Sequence, residues 1–347
     1  MKKTIVVLAC ACVFVSFGAV QREIIGELDI TYHGTGSFAA QENGKFNGTN
    51  FVTITVASTG MHDSLKVRNL KGIPGLTMPH ELSVTSLSNR LATMKVSLGS
   101  GPTSTVYLVA DDLGTLITKQ CILNAEAFGD TRLGPIICDP GIFSLFAPTA
   151  TVRKITASSF VGNLENTEVK PGPVMPPFQI RAGKINTIRV KKYRKYLNHW
   201  ISQVYAGKIG KLKATSISHI ASIDKIKSIQ SFNLTGFIQS GIIISNNQAI
   251  GYRKGNINRI RTGVVYDCYV LAGVPYITNS VSTNLYYDIV EPIGKIKKVR
   301  MVSTVETKLV SKRKLNLGTG YRKTQYGNGT EIWENEKLRN IKIKHLP

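Results

Sequence analysis

The run FVTITVA at residues 51–57 alternates threonine with β-branched apolar side chains. Successive side chains of a strand point to opposite faces, so this alternation predicts a strand with one buried and one solvated face. Residues 91–98 repeat the pattern, and residues 104–110 follow after a Gly-Ser-Gly-Pro connection typical of a hairpin. These runs predict a mainly β fold.

Further strand-like runs occur in both halves of the chain. They are residues 27–33, 64–70, 82–87, 115–122 and 150–155 in the first half, and 212–220, 236–245, 264–277, 283–290, 297–305 and 341–344 in the second. Short strands at close spacing, separated by Gly, Pro, Asn and Asp, are typical of an immunoglobulin-like or similar β-sandwich. We therefore predict an N-terminal β-sandwich domain at residues 19–170, with no internal repeat.

A boundary between two domains is predicted at PGPVMPP, residues 171–177, which holds four prolines. Proline cannot continue a helix or sit in a central strand, and it favours an extended linker. The charge changes at the same place. Residues 19–172 contain 12 Lys or Arg and 13 Asp or Glu, whereas residues 173–347 contain 30 and 8. We predict a proline-rich linker followed by a basic, β-rich domain at residues 178–347.

One amphipathic helix is predicted at residues 191–206, within the basic half. Its apolar residues are Tyr193, Tyr196, Leu197, Trp200, Ile201, Val204 and Tyr205. This spacing of three and four residues places them on one helical face. Gly207 stands where a C-terminal cap is expected.

The N terminus predicts export. Two lysines precede an apolar run, and small residues follow at Ser16 and Gly18. These are the three parts of a secretory signal, which we place at residues 1–18. The alternatives are a membrane anchor and a lipoprotein attached at Cys10, but the run is shorter than the roughly 20 residues a spanning helix needs. The mature protein is expected in the periplasm, at the cell surface or secreted.

Three cysteines remain after removal of the signal: Cys121, Cys138 and Cys268. In an oxidising compartment, Cys121 and Cys138 form the predicted disulfide, since they lie close together within one half. Such a bond would contribute roughly 3 kcal/mol in the chain-entropy model. The alternative is a pair of buried free thiols. Cys268 lies in an apolar run and is interpreted as a core residue.

Motifs for catalysis, metals or cofactors are not found. The segment GKIGKL at residues 207–212 has leucine where a phosphate-binding loop needs Ser or Thr. The sequence contains no GxSxG and no HExxH, and its six histidines lack the spacing of metal ligands. We predict a protein that is not an enzyme and that uses no cofactor and no metal.

The excess of basic residues in the second half points to an anionic partner, because it creates a long-range field that attracts polyanions. The predicted polyanion-binding residues form two clusters: Lys191, Lys192, Arg194 and Lys195, and then Lys295, Lys297, Lys298 and Arg300. For an exported protein the expected partners are anionic glycans or a host or envelope surface, with protein partners in a surface appendage, and not cytoplasmic nucleic acid. The alternative is a genome composition that enriches lysine without function.

In its two-domain layout alone, with a linker at residues 171–177, the chain resembles the adhesins at the tips of bacterial fimbriae. The basic second half departs from what their pilin domains imply. We expect an exported surface or appendage-associated binding protein, of the fimbrial adhesin type, that recognises glycans or other anionic surface ligands. The alternatives are a cationic secreted protein acting on anionic membranes through residues 191–206, and a secreted hydrolase without a recognisable motif.

Overall fold

The structure is a computed structural model that describes part of the chain. The described residues are 19–70, 80–99, 104–129, 132–162, 179–191, 199–218, 220–222, 224–231, 237–245, 255–262, 264–272, 296–300, 303–305, 307–311, 321–325, 331–335, 338–339 and 342–344. Within them the chain forms strands and no helix, and so no helix that could cross a membrane. The prediction of a mainly β fold is confirmed.

The strands are numbered along the chain. The first thirteen are β1 (Ala19–Ile25), β2 (Leu28–Gly34), β3 (Ser37–Phe46), β4 (Thr49–Ala57), β5 (Ser64–Asn69), β6 (His80–Ser97), β7 (Thr105–Lys119), β8 (Ile122–Ala127), β9 (Arg132–Leu133), β10 (Ile136–Asp139), β11 (Gly141–Val152), β12 (Ile155–Ala157) and β13 (Phe160–Val161). The next ten are β14 (Ile180–Val190), β15 (Trp200–Ile201), β16 (Val204–Ala214), β17 (Ser216–Ile217), β18 (Ile220–Ser222), β19 (Lys225–Ser231), β20 (Phe237–Ser245), β21 (Asn256–Ile257), β22 (Ile260–Arg261) and β23 (Val264–Ala272). The last seven are β24 (Lys298–Arg300), β25 (Ser303–Val305), β26 (Thr307–Ser311), β27 (Tyr321–Gln325), β28 (Glu331–Asn335), β29 (Leu338–Arg339) and β30 (Lys342–Lys344).

Each turn of the chain places its strands beside those of the next turn, and the neighbouring strands pair in parallel. Leu108 of β7 lies between Val84 of β6 and Ala125 of β8. The same ladder continues from β8 through β11, β14, β16, β18, β20 and β23 to β26. A second parallel ladder runs from β5 through β6, β7, β10, β12, β14, β16, β19 and β22 to β24. The chain therefore winds into a parallel β-helix, in which each turn adds one strand level of about 4.8 Å.

The interior contains columns of apolar side chains stacked turn upon turn. One column consists of Leu91, Leu113, Leu133, Val152, Ile185, Ile209, Ile226, Ile257 and Ile296, and a second of Met94, Leu116, Ile136, Ile155, Ile188, Leu212, Ile229 and Ile260. Each of these side chains is at most 2% exposed. Burial of one such side chain contributes about 1.5–3 kcal/mol relative to exposure, so the columns are the main source of stability.

A repeated corner separates these two columns. In every turn two residues lie between them, as in Val152-Arg153-Lys154-Ile155 and Ile185-Asn186-Thr187-Ile188. The flanking apolar residues point inward and the middle pair turns the chain at the surface. The sequence shows no internal repeat of fixed length, although the structure repeats at every turn. The repeat is structural. Residues stacked on successive turns are separated in sequence by 16 residues (Val204 to Ile220) to 40 residues (Phe160 to Trp200).

Antiparallel strands occur at the two ends of the described chain. At the N-terminal end, β1 pairs with β2, β2 pairs with β5, and β3 pairs with β4. Near the C terminus, β24 pairs with β30, β25 with β29, and β28 with both β26 and β27. Antiparallel hairpins at the N-terminal end use strand hydrogen-bonding groups that a parallel stack would leave unpaired.

Asp29 joins the first strands electrostatically. Its carboxylate is 2% exposed and accepts hydrogen bonds from Arg22 Nε at 2.7 Å and from Arg68 Nε at 2.6 Å. The hydrogen bond from Arg22, supported by Arg68 against the effect of burial, lowers the pKa of Asp29. Because Arg22 lies on β1 and Arg68 on β5, one carboxylate connects three neighbouring strands.

Asp63 organises the loop between β4 and β5. Its carboxylate accepts hydrogen bonds from the hydroxyls of Tyr32 (2.5 Å) and Ser58 (2.9 Å), and from the backbone N–H groups of Thr59 and Gly60 (both 3.0 Å). Burial opposes ionisation, but these donors lower the pKa of Asp63 below its ordinary value. Burial and the bond to Asp63 raise the pKa of Tyr32 to about 12. The site is an ionised carboxylate held by neutral donors.

The pairing differs from that of the predicted sandwich. A sandwich of the immunoglobulin type has antiparallel sheets, whereas β6, β7, β8 and β11 pair in parallel, so the sandwich at residues 19–170 is not confirmed. The hairpin predicted between residues 91–98 and 104–110 is wrong for the same reason. The predicted linker at residues 171–177 lies outside the described residues, and the division into two domains stays a prediction. Leu145 of β11, which precedes the predicted linker, and Ile180 of β14, which follows it, are direct partners in a parallel pair.

The predicted helix at residues 191–206 is wrong where the structure describes it. Residues 192–198 lie outside the described residues, but β15 and β16 occupy most of the remainder. Ile201 and Val204 both point into the core because the chain turns at Ser202 and Gln203, where Gln203 has a φ of 54°. A spacing of three apolar residues therefore results here from a corner between strands. Gly207 lies inside β16 and caps no helix.

Two predictions relate to export, namely the disulfide between Cys121 and Cys138 and the signal at residues 1–18. Cys121 and Cys138 are buried free thiols, so the predicted disulfide is not formed in it. Their backbones are adjacent, since the Cys121 N–H donates to the carbonyl of Asp139 at 3.0 Å. Burial raises the pKa of Cys121, and it raises that of Cys138 to about 12. The predicted signal at residues 1–18 lies outside the described residues.

Candidate functional site

Basic side chains gather along one corner of the β-helix. The parallel register brings together residues that lie one turn apart in sequence, such as Lys184 on β14 and Lys208 on β16, or Arg189 and Lys213 on the same strands. The basic corner, as the term is used below, consists of Arg132, Arg153, Lys154, Lys184, Arg189, Lys211 and Lys213. All but Lys213 are exposed, and Lys213 is half-buried. Because each turn adds one level, the corner forms a continuous cationic strip.

A first concavity lies on one side of this corner. Its volume is about 680 Å³, and it is lined by Arg90, Arg132, Gly134, Thr151, Arg153, Lys184 and Asn186. The lining comes from β6, β9, β11 and β14 and from the corners between strands. Gly134, a corner residue without a side chain, leaves room between the longer residues of neighbouring turns.

A second concavity lies on the other side and shares Arg153 with the first. Its volume is about 450 Å³, and it is lined by Arg153, Lys154, Thr187, Arg189, Lys211, Leu212, Lys213, Ser228 and Gln230. Hydroxyl and amide groups from Thr187, Ser228 and Gln230 alternate here with the cations. The two concavities adjoin at Arg153, and together they are called the groove below; their lining residues extend from β6 to β19.

Acidic residues occur only at the margins of this groove within the described part of the chain. None lines either concavity. Near one end, Arg90 Nη1 lies 3.5 Å from Asp112 Oδ2. Near the other end, Lys208 Nζ lies 3.0 Å from Asp224 Oδ2. The groove between them therefore holds a concentration of positive charge, which repels itself and attracts anions.

The two predicted basic clusters have different outcomes. Lys191 is exposed at the end of β14, next to the basic corner, and its N–H donates to the Ala157 carbonyl at 2.8 Å. Lys297 is also exposed and lies at the same type of corner as Arg153. Arg300 follows Arg261 in the register column that contains Arg189. Side chains of Lys298 and Arg300 are not described, and Lys192, Arg194, Lys195 and Lys295 lie outside the described residues.

Most residues of the basic corner were missed by the sequence analysis. Four residues of the two concavities, Arg90, Arg132, Arg153 and Lys154, belong to the half of the chain with a net charge near zero. Clusters of adjacent lysines drew attention to residues 191–195 and 295–300, whereas the groove is built from cations about one turn apart. The signal that could have found them is the repeated pattern of two apolar residues separated by two surface residues.

Exposed aromatic side chains lie outside the groove. Tyr107 and Phe146 are 43% and 38% exposed, and Arg181 lies in register between Phe146 and Tyr205. Burial raises the pKa of Tyr205, and Arg181 opposes this effect. Neither Tyr107 nor Phe146 lines either concavity, so this surface differs in chemistry from the groove.

Within the described part of the chain, no three His, Cys, Asp or Glu side chains come together as a metal site. Comparison of the chain with family models, with curated proteins and with solved structures finds no match. The function is therefore argued from the basic corner itself.

Proposed function

We propose that this chain is an exported, surface-associated binding protein without enzymatic activity, which recognises glycans or other anionic surface ligands through the basic corner. The observation that carries the proposal is the groove lined by Arg153, Lys184, Arg189 and Lys211, whose lining contains no acid among the described residues. Paired cations hold a fold together, as Arg22 and Arg68 do at Asp29. Cations that face one another across a groove are instead placed to receive an anion.

Export is supported by the signal pattern at residues 1–18, with cleavage expected after Gly18. N-terminal sequencing of the protein recovered outside the cytoplasm should therefore begin at Ala19. An intact Met1 on the exported protein would contradict the cleaved signal and favour an anchor.

The alternative of action on membranes has lost its main support. It required residues 191–206 to form an interfacial helix with Trp200 and Ile201 on its apolar face. In the structure Ile201 is buried in the core, and the Trp200 ring stacks on Phe160 with centroids 5.3 Å apart. The described residues 199–206 therefore form no amphipathic helix that could insert into lipid.

The proposal is tested by binding to immobilised heparin and polygalacturonate, with neutral dextran as the uncharged reference. Affinity should fall at least about tenfold as salt rises from 0.05 to 0.5 M, because screening weakens exposed charge interactions. Replacing Arg153 and Arg189 with Gln should weaken binding by about threefold to tenfold, since exposed ion pairs contribute about 0.2–1 kcal/mol each.

The matched control replaces Lys45 and Lys66 with Gln, which removes the same charge away from the basic corner. Lys45 lies on β3 and Lys66 on β5, and neither lines the groove. This variant should bind within about twofold of the parent, as expected for charges remote from the ligand. Equal losses in the two variants, or no binding to either polyanion, would refute the proposed site.

A further inference from the structure

The groove across the basic corner contains more than charge, and its composition narrows the class of ligand. Resting on the proposed function, we infer that the ligand is an acidic polysaccharide whose chain lies across the strands, along the axis of the β-helix. The inference follows from the length of the groove, from the neutral polar residues in it, and from the location of the aromatic residues.

The length of the groove follows the axis. Its lining residues extend from Arg90 on β6 to Gln230 on β19, over the levels of β6, β7, β9, β11, β14, β16 and β19. Six steps of about 4.8 Å give a length of about 29 Å. Along a strand the cationic surface is short, since β14 contributes only Lys184 and Arg189. A linear polymer therefore meets most of the cations only when it crosses the strands.

The neutral polar residues suit a ligand rich in hydroxyl groups. Asn186 and Thr151 lie beside the cations in the first concavity, and Thr187, Ser228 and Gln230 in the second. Their amide and hydroxyl groups both donate and accept hydrogen bonds. A sugar ring offers several hydroxyls for each carboxylate or sulfate, so alternating cations and neutral polar groups match its chemistry.

A single-stranded nucleic acid fits this groove less well. Proteins that bind single strands combine a basic groove with aromatic side chains on which the bases stack. The residues that line the two concavities include no Phe, Tyr or Trp. The exposed aromatic residues Phe46, Tyr107, Phe128 and Phe146 line neither concavity. A nucleic acid in the groove would have only its phosphates bound.

The experiment compares galacturonate oligomers with oligo(dT) of equal charge by calorimetry on the full-length mature chain. We expect the galacturonates to bind at least about tenfold more tightly than oligo(dT), because only they engage the neutral groups. Their affinity should rise with length up to about seven charges, one for each strand level, and change little beyond.

A neutral variant separates this inference from the proposed function. Replacing Asn186, Ser228 and Gln230 with Ala keeps every charge, and should weaken galacturonate binding by about tenfold while oligo(dT) stays within about twofold. The control replaces Thr105, Asn124 and Ser144, none of which lines the groove, and should bind both probes as the parent does. Circular dichroism of both triple variants checks that each keeps its strand content.

The outcomes are distinguishable. Equal or tighter binding of oligo(dT), or galacturonate binding unchanged in the neutral variant, overturns the polysaccharide inference and leaves the basic corner as a general polyanion site. Absence of binding to both probes overturns the proposed function as well. Galacturonate affinity that does not depend on length would overturn the axial orientation alone.

Discussion

At the N-terminal end of the β-helix, Asp29 and Asp63 are each 2% exposed and are surrounded by donors. At the basic corner, by contrast, six of the seven cations are exposed, around a groove lined by no acid among the described residues. Burial of a charge is costly unless it is paired and hydrogen-bonded. The two carboxylates meet that condition and stabilise the first turns. The cations of the corner remain hydrated and repel one another, so they contribute little to stability and remain available to a ligand. Charge stabilises the fold in the first region, and we propose that it serves recognition in the second.

The largest effect is expected from Asp63→Asn. The amide removes the charge and places an NH₂ group among donors, which should destabilise the fold by about 3 kcal/mol. Urea unfolding at pH 7 measures the change. Glu126→Gln is the control, because Glu126 is exposed on β8 and its replacement should change stability by less than about 0.5 kcal/mol. If the two substitutions changed stability equally, the buried carboxylate of Asp63 would contribute no more to the fold than the exposed carboxylate of Glu126.

A dependence on pH should follow from the same carboxylates. Both Asp29 and Asp63 have a folded pKa below the ordinary value. A group of this kind stabilises the fold at pH values above its unfolded pKa, about 3.9, and this contribution is lost as the pH falls through the folded pKa. The urea midpoint should therefore decline below about pH 4, with a smaller decline in Asp63→Asn. An identical acid profile in the variant would show that Asp63 is not the group that titrates.

The smallest effect is expected at the basic corner. Replacing Arg153, Lys154 and Lys211 with Gln should leave the free energy of unfolding unchanged or slightly higher at low salt, within about 0.5 kcal/mol per site, because mutual repulsion is relieved. In 1 M salt any gain should disappear, since the Debye length is then about 3 Å. Urea unfolding at both salt concentrations provides the test. A marked loss of stability would place these cations in the framework instead.

The sequence predicted the strands well and their arrangement poorly. The alternation at residues 51–57 lies in β4, and residues 91–98 lie in β6 but for the last. Alternation reports that one face of a strand is buried and carries no information on the direction of its neighbour. The turns also differ in length from 16 to 40 residues, so no fixed period reveals the repeat. Parallel stacking therefore became visible only through the register.

The sequence predicted that the candidate site is basic, but it did not predict the residues that form it. An excess of lysine and arginine indicated an anionic partner, and Lys191 does lie next to the basic corner. Arg132 and Lys184 are single cations along the sequence, and each acquires cationic neighbours only from the adjacent turns of the β-helix. The apparent helix had a related cause, because a corner at Ser202 and Gln203 placed Ile201 and Val204 at a helical spacing.

The stacked turns also determine how the molecule would respond to force. Each turn of the parallel ladder contacts the turn before it and the turn after it, so tension applied along the chain from one end loads only the last interface. The turns should then peel away singly, each releasing between 16 and 40 residues, or about 50 to 140 Å of extended chain. Stretched with optical tweezers, such a molecule would give a staircase of small extensions in place of one abrupt rupture. A molecule that unfolds in this way dissipates the applied force gradually, while the remaining turns stay folded.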